Sequence, residues 1–142
     1  MTEATRADAA HVRRAFEEFN ARFETLRGEA LADYHDEFFV TGSVVDNTDG
    51  FPMPATYERF AGYRQWFDDS YGPYRDVQWA VESVEPVADR VVAVARSGGR
   101  AHGDDTWLEV KLALVYALED GRIARIEVFL SEEAALRHVN GP

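Results

Sequence analysis

Residues 112–128 read LALVYALEDGRIARIEV, two apolar segments joined by the turn sequence Asp120-Gly121. An Asp-Gly pair between alternating hydrophobic residues is typical of a β-hairpin. A two-residue loop would place Leu114 opposite Glu127 and mix apolar with charged side chains on both faces. A three-residue loop with Gly121 in the left-handed region makes one face wholly apolar, so we predict that register. It pairs Leu118 with Arg122, Tyr116 with Ala124, Leu114 with Ile126 and Leu112 with Val128.

This register divides the side chains of the hairpin between two faces. The apolar face carries Leu112, Leu114, Tyr116, Ile126 and Val128, which we expect to point toward a hydrophobic interior. The opposite face carries Trp107, Glu109, Lys111, Arg125, Glu127 and Phe129. On that face we expect Lys111 and Glu127 to lie within diagonal reach of each other.

The first half of the chain shows helical periodicity and the second half shows strand periodicity. Val12, Phe16, Phe19, Phe23 and Leu26 form one stripe of a helix that ends at Gly28. The pattern further predicts helices over 29–34 and over a segment containing Phe60, Tyr63, Trp66 and Phe67, and a short final helix capped by Ser131. Strands are predicted over 38–45, 75–87, 90–100, 106–119 and 122–130.

Helices followed by a meander of long strands indicate an α+β domain, with a curved antiparallel sheet wrapped around the N-terminal helices. We expect a single domain over 1–142. A curved sheet closed at one end by helices leaves a cone-shaped apolar cavity, the kind of place where small ligands bind. The fold class therefore predicts a pocket without naming its ligand.

Composition excludes several functional classes. The 142 residues include 26 Asp and Glu against 15 Lys and Arg, a net charge of −11, so the chain repels nucleic acids and anionic membranes. No cysteine is present, which excludes disulfides and thiol chemistry and suits a cytoplasmic protein. The longest apolar run, 112–118, is far shorter than the roughly 20 residues of a membrane-spanning helix. We expect no nucleic acid or membrane partner.

Four segments of the chain carry a family resemblance. Residues 57–66, 88–92, 114–123 and 132–136 are similar to the SnoaL-like branch of the nuclear-transport-factor-like superfamily, which also contains ketosteroid isomerases, limonene-type epoxide hydrolases and polyketide cyclases. The resemblance implies the cone-shaped α+β fold. It leaves the activity open, because these segments reflect structure and spacing and contain no catalytic signature.

The resemblance allows two branches of the superfamily to be tested by position. The epoxide hydrolase branch uses an Arg and two Asp, and the corresponding positions hold Ala95, Ser97 and Val128. The ketosteroid isomerase branch uses two Asp and a Tyr, at positions near Gly42, Ala113 and Ala15. Neither set can perform the chemistry of its branch. If the protein is an enzyme, the resemblance leaves an isomerase or lyase of the polyketide cyclase type as the candidate.

Two residues are candidates for acid–base catalysis. Asp46 follows the first strand and is the best-placed general base, although Asp-Asn-Thr-Asp-Gly is also ordinary turn chemistry. Tyr116 lies on the apolar face, where its hydroxyl could donate to a developing oxyanion or to a ligand carbonyl, or be anchored by the backbone.

The binding candidates surround the same predicted cavity. They are His35, which could titrate near neutral pH or simply favour a helix C-terminus, the aromatic wall residues Tyr63 and Trp66, the small polar Ser97, and the apolar Leu112, Leu114, Ile126 and Val128. Arg96 follows the strand residues 91–95, which are apolar on both faces, so its direction stays open. The resemblance favours an outward position.

We expect neither a metal nor a cofactor. His102 with Asp104 and Asp105 superficially suggests metal ligands, but the histidines show no spacing that converges on one ion. Three functions remain: an enzyme acting on a small apolar carbonyl compound, a binding protein for a small hydrophobic ligand, and a dimeric interaction module. Apolar residues on the outer sheet face predict a homodimer through that convex face.

Overall fold

A computed structural model describes residues 3–141. Within this range the helices are α1 (Arg6–Arg22), α2 (Gly28–Phe38), α3 (Arg59–Tyr71) and α4 (Glu132–Asn140), with a 3-10 turn at Phe23–Thr25. The strands are β1 (Phe39–Asp46), β2 (Thr56–Glu58), β3 (Tyr74–Val87), β4 (Arg90–Ala101), β5 (Trp107–Glu119) and β6 (Arg122–Phe129). No helix in this range is both long and apolar enough to cross a membrane.

The predicted stripe of α1 is confirmed. Thr5 caps the helix in a reciprocal capping box, in which the Thr5 side chain accepts from Asp8 N and the Asp8 carboxylate accepts from Thr5 N. Every member of the stripe is buried, and the last two continue it through the 3-10 turn and the residue after it. Gly28, with φ of +52°, then starts α2 in the left-handed region. The stripe fixes which side of α1 faces the sheet.

Several local elements differ from the sequence-based expectation, and the first helix ends at Arg22, before the 3-10 turn, instead of at Gly28. The second helix extends to Phe38 instead of ending at Tyr34, because its buried face continues through His35 and Phe38. The short strand β2 was not predicted, since three residues carry too little periodicity to be recognised. It pairs antiparallel with β1 and leads directly into α3.

The sheet is open and mixed, in the order β2-β1-β6-β5-β4-β3. The meander β3–β6 is antiparallel, as predicted, whereas β1 pairs parallel with β6. The inner face of the sheet packs against α1, α2 and α3 in one continuous core. The α+β class is confirmed, and the all-antiparallel sheet is corrected by this one parallel pair.

The hairpin at Asp120-Gly121 confirms the predicted faces but not the predicted register. The loop has two residues, both with positive φ, and Glu119 pairs with Arg122. A bulge then shifts the pairing between Ala117 and Leu118, so that Leu114 lies opposite Val128 rather than Ile126. The bulge leaves Ala124 of β6 unpaired, so the observed pairs differ from the predicted ones by two residues. Parity is therefore preserved, and Leu112, Leu114, Tyr116, Ile126 and Val128 all belong to the inner core.

The outer face of the sheet is covered in part by α4. Phe129 and Ala135 are buried there in a second apolar cluster with Val92, Val94, Ala113 and Val115. Glu127 is also buried on this face, where it contacts His138 at 3.1 Å and Arg125 at 3.7 Å. The expected approach of Lys111 to Glu127 is wrong, because the shifted register of β5 and β6 moves the two residues apart, and Lys111 pairs with Glu82 of β3 at 3.0 Å instead. Helix α4 thus covers much of the outer apolar surface on which the dimer prediction was based.

Candidate functional site

A cavity of about 270 Å³ opens between the inner face of the sheet and the C-terminal part of α3. Its lining comes from α3, from the loop before β2, and from strands β3 to β6. Leu108 lies at its edge and is 50% exposed, which places an apolar side chain where the cavity meets solvent. This volume lies just below the roughly 300–1,000 Å³ of typical ligand pockets.

Three large aromatic residues form the deep wall of this cavity. Trp66 and Tyr71 come from α3 and Trp79 comes from β3. The Trp79 indole N–H donates to the Tyr71 hydroxyl at 3.2 Å, and the Trp66 indole N–H donates to Asn47 Oδ1 at 3.2 Å. Because both indoles have polar partners, they can be buried without an unsatisfied donor. The two indole N–H groups are therefore hydrogen-bonded within the protein, and the aromatic rings give the cavity an apolar wall.

Asp69 of α3 is one of the residues that line the cavity. Its Oδ2 accepts from the Tyr57 hydroxyl and its Oδ1 accepts from Gln65, both at 2.7 Å. Burial and this hydrogen bond raise the pKa of Tyr57 to about 12, so the phenol stays a neutral donor. Tyr57 comes from β2, and Gln65 lies one turn earlier on α3. The carboxylate is thus held by two elements before any ligand arrives.

Ser70, beside Asp69, also lines the cavity. Its hydroxyl oxygen is buried and has no hydrogen-bond partner among the residues described. An unsatisfied buried polar group is costly, so such groups are rare and call for an explanation. A ligand or a water molecule in the cavity would satisfy it.

A second, smaller cavity of about 30 Å³ lies deeper in the core, beyond Trp66, Tyr71 and Trp79, which line both cavities. It has room for one or two water molecules. The hydroxyl-bearing residues that line it are Tyr34, Tyr63, Tyr71 and Tyr116. Burial is the main cause that raises the pKa of each, so all four stay neutral at physiological pH. Tyr34 donates to the Ala15 carbonyl at 2.8 Å.

The residues predicted from sequence divide among these places. Trp66, Ser97, Leu112 and Val128 line the larger cavity. Tyr63, Leu114, Tyr116 and Ile126 line the inner one, as does Trp66. Asp46 and His35 line neither cavity. The two proposed catalytic groups are therefore not brought together: Tyr116 lies in the core, and Asp46 lies elsewhere.

Asp46 belongs to the outer face of the sheet. In β1 the inward position goes to Val45, which is buried opposite Ile126, so the next side chain points to the other side. There the Asp46 carboxylate accepts from Arg125 at 3.0 Å. The expectation that Asp46 follows the first strand is wrong, because β1 includes Asp46 and so extends one residue further than predicted.

His35 lies on the buried face of α2, against β1. Its ring stacks on Phe39, with centroids 4.8 Å apart, and its Nε2 is 2.9 Å from the Ser43 hydroxyl. Burial lowers the pKa of His35 to about 4. The imidazole is therefore neutral at pH 7. It does not titrate near neutral pH, contrary to the possibility raised from the sequence.

Three other residues considered in the sequence now have positions. Arg96 points outward and is paired with Glu82 at 3.0 Å and with Glu109 at 3.7 Å. Ala113 faces α4, so the inner positions on either side of it are held by apolar leucines. His102 is exposed and lies 3.1 Å from the Gly72 carbonyl. Within residues 3–141, no three His, Asp or Glu side chains come together as metal ligands would.

Sequence reasoning missed Asp69 and Ser70. Ser70 lies four residues after Trp66, on the same helix face, and Asp69 lies three residues after it. The available signal was the helical spacing that places these two polar residues next to the buried Trp66 side chain. It was overlooked because residues 68–70 read as the polar end of the helix.

Three solved structures resemble this chain. A protein from Jannaschia sp. CCS1 assigned as a SnoaL-like polyketide cyclase is 17% identical with a TM-score of 0.70, and the match covers 100% of this chain and 99% of that one. A protein of ketosteroid isomerase-like fold from Catenulispora acidiphila DSM 44928, in complex with trimethylamine, is 16% identical with a TM-score of 0.58, over 77% and 82% of the two chains. TerC, co-crystallised with polyporic acid, is 13% identical with a TM-score of 0.68, over 95% and 99%.

No protein-family model matches the sequence, and no curated protein matches it. The structural likeness nevertheless extends over the whole chain in the protein from Jannaschia, and it includes proteins described as NTF2-like. At such low identities a shared fold does not carry a shared activity. The chain has the NTF2-like α+β fold that is also found in SnoaL-like polyketide cyclases and ketosteroid isomerase-like proteins.

Proposed function

We propose that this protein binds a small, largely apolar molecule in the cavity beside α3. The observation that carries the proposal is the cavity itself, about 270 Å³ with an aromatic wall and an unpartnered Ser70 hydroxyl. Apolar pockets with a few convergent polar groups are the usual form of a small-molecule site. Two proteins of the same fold were crystallised with small molecules, trimethylamine and polyporic acid, which supports a ligand without selecting its class.

Cavity filling tests this proposal. Ser97 lies on the inner face of β4 opposite Trp79, so Ser97→Phe would place a ring in the cavity, whereas Ser97→Ala leaves it open. We expect tert-butylbenzene to raise the melting temperature of the wild-type protein and of Ser97→Ala, but not of Ser97→Phe. At a free ligand concentration tenfold above Kd, the added stability is about 1.4 kcal/mol.

Tryptophan fluorescence gives a second readout of the same binding. Trp66 and Trp79 line the cavity, while Trp107 lies on the outer face beside Arg100. In a Trp107→Phe background, the emission spectrum reports only the two cavity indoles and should shift on binding. Binding of tert-butylbenzene to Ser97→Phe as tightly as to the wild type would show that the molecule occupies another place.

An acid–base reaction on a small carbonyl compound is a second candidate function. The observation in its favour is the carboxylate of Asp69 in the cavity lining, held by Tyr57 and Gln65. A general base must lie within hydrogen-bond reach of the proton that it removes, and Asp69 is the acidic residue of α3 in the cavity lining. We expect Asp69→Asn to abolish any turnover and Asp46→Asn to leave it unchanged. The reverse result would exclude Asp69 as the base.

For the assembly, we propose the homodimer through the convex face. Trp107 supports it, since this side chain is 41% exposed on the part of that face that α4 leaves open. Sedimentation equilibrium distinguishes the dimer from a monomer.

A further inference from the structure

The larger cavity has an unbalanced charge. Its lining includes two acidic residues, Asp69 and Glu109, and no Lys, Arg or His among the described residues. The Glu109 carboxylate lies on the outer face of the sheet, 3.7 Å from the outward-pointing Arg96, where it accepts from the Trp107 indole. Asp69 belongs to none of the ion pairs formed within residues 3–141. The cavity wall therefore carries a negative charge without a cation.

Asp69 is also held in place for a partner. Tyr57 and Gln65 each donate one hydrogen bond, and each occupies a different carboxylate oxygen. An ionised carboxylate can accept about four hydrogen bonds, so both oxygens retain capacity. Neither donor carries a charge. Their bonds orient the carboxylate but leave its charge uncompensated, which favours a cation in the adjoining space.

The same cavity is rich in aromatic side chains. Trp66, Tyr71, Tyr74 and Trp79 line it, and Phe51 lies at the loop side. Organic ammonium ions are attracted to such rings by the electrostatic field of the ring faces, most strongly for tryptophan. An aromatic wall with one fixed carboxylate suits an ammonium group bearing an apolar body. An anionic ligand would meet Asp69 without a compensating base, in a protein of net charge −11.

We propose that the ligand of this cavity is a small organic cation, an amine or quaternary ammonium compound with an aromatic or alkyl body. The inference rests on the proposed function, because it names the chemical class bound at that site. Asp69 supplies the counter-charge, the aromatic wall contacts the ammonium group and the body, and the apolar edge at Leu108 admits the molecule.

An isosteric pair of probes tests the charge separately from the shape. Phenyltrimethylammonium and tert-butylbenzene have nearly the same size and differ by one positive charge. We expect the cation to bind the wild-type protein about tenfold more tightly, the size of effect that a desolvated cation–π contact and a nearby carboxylate produce. Isothermal titration calorimetry at low ionic strength measures both affinities.

Two aspartate variants distinguish a direct contact between the ligand and Asp69 from the overall electrostatic field of the acidic protein. Asp69→Asn removes the cavity carboxylate and keeps an amide that can bond to Tyr57 and Gln65, so the fold is retained and thermal melting verifies it. Asp68→Asn removes the same charge from the exposed neighbouring position on α3. We expect Asp69→Asn to weaken the cation about fivefold or more, with tert-butylbenzene unchanged, and Asp68→Asn to change neither affinity appreciably.

Each outcome bears on the inference. Selective loss of cation binding in Asp69→Asn supports it. Equal binding of both probes, or equal effects of the two aspartate variants, would overturn the inference that the ligand is a cation while leaving the proposed function intact. Failure of both probes to bind the wild-type protein would overturn the proposed function, and the cation with it.

Discussion

Gly62→Ala is expected to destabilise the protein by roughly 2 to 3 kcal/mol. In an exposed helix interior the same change gains about 1 kcal/mol, since alanine is the better helix former. Here the added Cβ would lie 2.7 Å from the Tyr57 carbonyl carbon and 3.1 Å from its Cα. Backbone cannot rotate away as a flexible side chain can, so α3 and β2 would have to separate. Urea denaturation of the variant and the wild type measures the difference.

Gly42→Ala provides the matched control. Gly42 lies in β1, and its added Cβ would meet nothing within 4 Å. We expect this variant to be as stable as the wild type or slightly more so, because glycine loses more backbone entropy on folding. If both glycine variants were equally stable, the contact between α3 and β2 would not be as tight as described.

The contact at Gly62 also affects the cavity. Tyr57 holds the Asp69 carboxylate, and the packing of α3 against β2 at Gly62 sets the distance between these two residues. Where Gly62→Ala remains folded, its affinity for phenyltrimethylammonium should fall with its stability. The position thus links a stability measurement to the geometry of the site.

The second large effect is acid lability caused by His35. Burial lowers the pKa of His35 to about 4, while the pKa of an unfolded histidine is about 6.5. Above pH 6.5 the ring is neutral in both the folded and the unfolded state, so its protonation does not affect the free energy of unfolding. As the pH falls from 6.5 toward 4, only the unfolded state takes up the proton. The free energy of unfolding should therefore decrease by about 3 kcal/mol across this window.

His35→Gln isolates this contribution. Glutamine keeps a hydrogen-bonding group for Ser43 but has no titration in this range. The variant should be less stable at pH 7, because the stacking on Phe39 is lost, yet its stability should change much less between pH 6.5 and 4. Denaturant titrations at several pH values compare the two slopes. Parallel slopes would mean that His35 is protonated in the folded protein at mildly acidic pH.

The amphipathic patterns predicted the elements and the faces well. The stripe of α1 required only local spacing, and the alternation in β5 and β6 required only that one face be apolar. The hairpin shows the limit of this reasoning. A two-residue turn followed by a bulge and a three-residue turn both preserve parity, so hydrophobic pattern cannot distinguish them.

The candidate site was predicted only in part. Trp66, Ser97, Leu112 and Val128 could be placed because inward apolar positions follow from strand and helix periods. Asp46 was misplaced because the hydrophobic pattern does not define where β1 ends to within one residue. As a member of the strand, Asp46 points to the face opposite that of its neighbour Val45. The Asp69 carboxylate is oriented by Tyr57 of β2, and β2 is too short to show in the sequence.

The sequence by itself determined the α+β class, the apolar inner face of the hairpin and the acidic character, because these follow from local periodicity and composition. The tertiary structure alone decided that α4 covers part of the outer face, that β1 joins β6 in parallel, and that Asp69 lines an aromatic cavity. These features depend on contacts between segments distant in the chain, whose geometry is set by packing of the whole core and leaves no trace in the pattern of any one segment.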